Sequence, residues 1–135
     1  MSDVPVTSIL VVASTSTVAN AGSNMFVEVL IPQVAASEVS LPGSQGSTQV
    51  ITMPASGTKT ISEITPADIN LSTEPPNEGD AWLPSAFYVL GKGDSGDYEV
   101  ICAIPEWPTD VWLSEDPNDP NAYPAVTLAQ VLSHV

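Results

Sequence analysis

Arginine is missing from this chain, and its only lysines are Lys59 and Lys92. Against them stand 16 carboxylates, for a formal net charge of −14. Affinity for nucleic acid comes mainly from Lys and Arg displacing phosphate counterions, so the composition argues against any DNA or RNA partner. The same field repels anionic headgroups, and a lipid surface is expected to be reachable only through a bridging cation. It attracts Ca²⁺ or Mg²⁺ and suits a cationic protein. A single cysteine, Cys102, leaves no intrachain disulfide framework, and one His with one Cys cannot supply the tetrahedral N/S set of a zinc site. Long apolar runs are lacking too. The segment Ile9 to Ala13 has no basic region before it and is too short for a signal core or a membrane span. The chain is therefore expected to be soluble, without a signal peptide or transmembrane segment. Its low-lysine, hydroxyl-rich style fits an extracellular or virion setting.

What the chain does have is punctuation. Its 13 prolines and 8 glycines break it into short segments, the rhythm of an antiparallel β-sandwich and not of a helical fold. The expected fold class is all-β, an antiparallel sandwich of about seven to eight strands with a short C-terminal α-helix. The stretch Thr7 to Thr17 is apolar on both faces and reads as a buried strand. Met25 to Ile31 alternates, with Val27, Val29 and Ile31 on one side. Shorter candidates are "EVSL", "TQVITM", "TKTISEI" and "DINL", with "SGT" (Ser56 to Thr58) as a hairpin turn between the second and third. Ala86 to Leu90 and Tyr98 to Ile104 are strong strands joined by "GKGDSGD". In the second of them the period of two puts Tyr98, Val100, Cys102 and Ile104 on one face.

Near the end, Leu128, Val131, Leu132 and Val135 recur at helical spacing, with Thr127 placed to cap the turn. The division expected is a sandwich over residues 1–124 and a helical tail over 125–135, packing on the sandwich or on a neighbouring subunit. With Trp112, those four apolar residues are the candidate partner-binding set.

Catalytic signals are weak. "GDSGD" (Gly93 to Asp97) resembles the nucleophile motif of trypsin-like proteases, but the only histidine is His134, and serine chemistry needs an oriented histidine base. Cys102, mid-strand on an apolar face, has no cation beside it to favour the thiolate. No catalytic residue is assigned, and the chain is expected not to be an enzyme. Calcium has the better case among small ligands, because hard oxygen donors cluster in "SEDPNDPN" and "NEGD". Asp116, Asp119 and Asp80 are the candidate metal ligands read from those loops, though Asp and Asn beside Pro also form ordinary turns.

The order of these features resembles the PLAT/LH2 domains, β-sandwiches attached to lipoxygenases and lipases. "VTSILVVASTSTVANAGSNMFVEVLI" is similar to the family's opening strand, turn and strand, with Ala21, Gly22, Ser23 and Asn24 in the turn. "GDAWLPSAFYVL" resembles its central strand through Asp80, Trp82, Leu83 and Val89. "YEVICAIPEWPTDVWL" resembles its closing element through Tyr98, Cys102 and either Trp107 or Trp112. The chain departs from the pattern at Asn24, where the family usually has an acid. The resemblance implies a non-catalytic module that binds membranes or proteins, sometimes through loop calcium, and adds Asn24 to the candidate ligands. The competing expectation is a structural subunit that self-assembles, such as a virion decoration or surface-layer protein.

Overall fold

The computed structural model describes residues 4–23, 26–37, 42–73, 81–116 and 118–135. Its first sheet has the order β4-β1-β7-β8, built from β1 (Ser8–Thr15), β4 (Thr48–Pro54), β7 (Pro84–Lys92) and β8 (Glu99–Ile104), all antiparallel. The second has the order β11-β5-β2-β3, from β2 (Val27–Ile31), β3 (Ala35–Ala36), β5 (Asn70–Thr73) and β11 (Ala125–Thr127). A smaller sheet, β10-β9-β6, joins β6 (Ala81–Trp82), β9 (Trp112–Ser114) and β10 (Ala122–Tyr123), with β9 and β10 running parallel. One α-helix, α1 (Leu128–Leu132), ends the described chain. The fold is the expected all-β sandwich with a short helix.

Strand alternation builds the core. Ile9, Val11 and Ala13 of β1 and Phe87 and Val89 of β7 are buried, as are Val27, Val29 and Ile31 of β2. Trp82 is fully buried, and its indole N–H donates to the Thr15 hydroxyl at 2.9 Å. Trp107 is buried as well, 5.9 Å from the Phe87 ring, and donates to the Val111 carbonyl at 2.8 Å. Buried indoles need such acceptors because an unpaired N–H inside is costly.

Three expectations are corrected. The segment Thr58 to Ile64 is not a strand. Its core, Ile61–Glu63, is a 3-10 turn in which the Glu63 carboxylate accepts from the Thr60 amide at 3.0 Å and hydroxyl at 3.2 Å. Thr65 and Asp68 repeat the device around Pro66–Asp68, at 2.9 and 3.1 Å. A Thr with an acid three residues on is a helix-start signal, and it overrides the β-branched composition. With no strand to pair, "SGT" is not a hairpin, and β4 is left at the sheet edge. In β8, the pairs Val89↔Cys102 and Leu90↔Val100 leave Ile101 as an extra residue, a β-bulge. The bulge breaks the period of two, so Cys102 and Ile104 are buried while Val100 is 56% exposed. Gly91 accommodates it: a Cβ there would meet the Ile101 side chain at 2.9 Å.

The end of the chain also differs. Ala125–Thr127 is a strand of the second sheet, and α1 starts only at Leu128. Thr127 caps it as expected, its hydroxyl accepting from the Gln130 amide at 3.2 Å while its own amide donates to Gln130 Oε1 at 2.8 Å. The candidate strand "EVSL" lies outside the described residues.

Candidate interaction surface

In an antiparallel sheet, residues paired across strands point to the same side. The register of the four-stranded sheet therefore fixes its outward face. One row reads Val50, Val12, Tyr88 and Ala103, and the next reads Thr52, Leu10, Leu90 and Val100. Val50 is 59% exposed, and Leu10, Val12, Tyr88 and Leu90 are half-buried among their neighbours in register. Above and below these rows lie Thr48, Ser14 and Ala86, then Pro54, Ser8 and Lys92. Thr48 and Ser14 share a hydroxyl hydrogen bond at 2.9 Å, and Ser8 and Tyr98 share another at 2.7 Å. Lys92 sits 5.2 Å from the centre of the Tyr98 ring.

No carboxylate stands at any of these positions, in a chain that carries 16. The outward face of the second sheet is ordinary by comparison, with Glu28, Ser72 and Asn70 among its residues. This apolar patch, spanning four strands and rimmed by hydroxyls, is the candidate interaction surface. Sequence reading takes β1 as buried because both of its faces are apolar. Only one face is in the core. The other signal was equally present in "AFYVL", where Tyr88 and Leu90 break the alternation expected of a solvated strand.

A second apolar feature flanks the C-terminal helix. Ile104, Pro105, Glu106, Leu132 and Val135 line an open groove of about 190 Å³. Beside it, His134 Nδ1 lies 3.0 Å from Asp110 Oδ2, and its Nε2 lies 3.5 Å from the Tyr123 hydroxyl. These contacts fasten the last residues to the loop between β8 and β9, through Asp110, and to β10, through Tyr123.

The candidate partner-binding residues separate accordingly. Leu128 and Val131 are fully buried in this chain's own core, whereas Leu132 is 37% and Val135 73% exposed. A helix of one and a half turns cannot carry a stripe as far as Val135. Trp112 is half-buried against the core, and its indole donates to the Thr109 carbonyl at 3.2 Å.

Of the candidate metal ligands, Asn24 and Asp80 lie outside the described residues. Asp116 Oδ1 accepts from the Asn118 amide and Asp119 Oδ1 from the Asn121 amide, both at 2.9 Å. These are Asx turns, which bring the chain into β10. Among the described residues no three His, Cys, Asp or Glu side chains are grouped as a metal site. "GDSGD" forms the β7–β8 hairpin loop, with Gly96 at φ 96°. Burial pushes the Cys102 thiol above its ordinary pKa.

No family model matches the chain, and no curated protein matches it in sequence. A solved structure is similar in fold. The alpha toxin from Clostridium absonum superposes with a TM-score of 0.67 at 18% identity, over 95% of this chain and 32% of the toxin chain. This chain thus spans about a third of the length of that protein. At such identity the likeness establishes the β-sandwich fold and nothing further. No described helix is long and apolar enough to cross a membrane.

Proposed function

We propose that the chain is a non-catalytic binding module of PLAT/LH2 type, and that the outward face of the four-stranded sheet is its working surface. The observation that carries the reading is the acid-free apolar face centred on Leu10, Val12, Tyr88 and Leu90. The sandwich fold and the Trp82, Cys102 and Trp107 positions of the PLAT/LH2 resemblance agree with it. A buried Cys102 and a His134 engaged by Asp110 support a role other than catalysis. The partner is a protein. A lipid surface is the other partner that the resemblance implies, and the net charge of −14 would require a cation to bridge it.

The test compares the native chain with a Val50→Asp/Val100→Asp double variant at about 1 µM, where weak self-association is negligible. A dye that fluoresces on apolar surface should bind the native chain and lose most of its signal on the variant. Equal signals from both would sink the reading. Phosphatidylserine vesicles with and without millimolar Ca²⁺ check the lipid alternative: calcium-dependent sedimentation of the native chain would favour it over a protein partner.

A further inference from the structure

We infer that the outward face of the four-stranded sheet pairs with the same face of a second copy of this chain. The inference rests on reading that face as a binding surface, and it names the occupant. Charge is the first argument. The chain carries 16 acids, and a cationic partner would find none of them at the outward positions of the four strands. An acidic partner would meet only Lys92, at one corner of the face and already 5.2 Å from the Tyr98 ring centre. A second copy offers an equally acid-free face, and face-to-face stacking is the arrangement that keeps two strongly acidic chains from opposing carboxylates at the contact.

Shape is the second argument. Sheets pack face to face about 10 Å apart with interdigitated side chains, and the mixture of Tyr88, Leu10 and Leu90 with the smaller Val12, Val50 and Ala103 suits that packing. Around them Ser8, Ser14, Thr48 and Thr52 give the uncharged polar rim that interfaces carry. Size sets the strength. Strands of about seven residues at about 3.4 Å each, four abreast at about 4.8 Å, give a footprint of about 450 Å² before side-chain relief. A standard interface covers about 800 Å² per partner, so the pair should form at micromolar to millimolar concentrations and not at nanomolar ones.

The experiment is sedimentation equilibrium of the full chain from about 1 µM to about 1 mM. It is run at about 0.1 M and about 1 M NaCl, where the Debye length falls from about 10 Å to about 3 Å. A dimer that tightens at least threefold in high salt is expected, because salt screens the repulsion between the two acidic chains. The Val50→Asp/Val100→Asp variant should stay monomeric while keeping the native melting temperature. Mixed with a Val50→Lys/Val100→Lys variant, it should pair again. A monomer at every concentration and salt would overturn the inference. So would a dimer that survives in the aspartate variant, which would place the contact elsewhere, or one that weakens with salt, which would make it charge-driven. A monomer whose apolar-dye binding still depends on Val50 and Val100 would overturn the second copy as occupant and leave the binding face standing.

Discussion

Leu90 is paired with Val100, and its neighbour Val89 is paired with Cys102, so one residue of β8, Ile101, has no opposite. That single extra residue decides which side of the molecule the two ends of β8 address. Beyond the bulge Cys102 and Ile104 complete the core. Before it Val100 joins Leu10 and Leu90 on the outward face.

A pair of substitutions tests this inversion. Val100→Asp should cost less than about 1 kcal/mol, because its side chain stands in solvent in the single chain. Cys102→Asp should cost more than about 3 kcal/mol by placing an unpaired carboxylate in the core. Urea unfolding at low protein concentration measures both. Similar costs at the two sites would mean that β8 runs with unbroken alternation and that both side chains share one face.

Thr15 and Trp82 form a buried hydrogen bond across 67 residues of sequence. Thr15→Val keeps the shape and removes the acceptor, leaving the indole N–H unpaired. The expected loss is about 1–3 kcal/mol in chemical denaturation. Thr15→Ser should recover most of it, and a valine variant as stable as the native chain would show that the bond contributes little.

The two threonine-capped turns predict an acid dependence. Bonds from the Thr60 amide, then its hydroxyl, hold the Glu63 carboxyl below its ordinary value, and the Thr65 amide leads the same effect at Asp68. A carboxyl depressed on folding stabilises the native state above its unfolded pKa and loses that contribution as pH falls through the folded one. Melting temperatures measured from about pH 5 to about pH 2 should therefore drop less steeply in a Glu63→Gln/Asp68→Asn variant than in the native chain. Parallel curves would remove the turns from the acid response.

The terminal helix is docked in cis. Leu128→Ala should destabilise by about 2–5 kcal/mol, since the side chain is fully buried. Val135→Ala, at 73% exposure, should change stability by no more than about 0.5 kcal/mol. Thermal melts of the two variants check the contrast. Equal small effects would mean that the helix is not part of the core.

The sequence by itself was sufficient for the class of fold. Proline and glycine spacing, the alternation of Val27, Val29 and Ile31, and the strong strands around Phe87 and Cys102 are local signals, and local signals suffice to choose a sandwich. They also identified Thr127 as a cap. The same signals were ambiguous wherever the answer depended on a neighbour. Thr58 to Ile64 has strand composition, yet its carboxylate bonds to Thr60 turned it into a 3-10 element. Asp116 and Asp119 have ligand chemistry, yet each carboxylate is bonded to an amide two residues on. Above all, the apolar second face of β1 could be counted in the sequence but not located. A strand apolar on both sides can be sandwiched between layers or laid open at the surface. Only the register with β4, β7 and β8 showed that Leu10 and Val12 join Tyr88, Leu90 and Val50 on one acid-free face, because residue pairing across strands is a property of the assembled sheet and of no single segment.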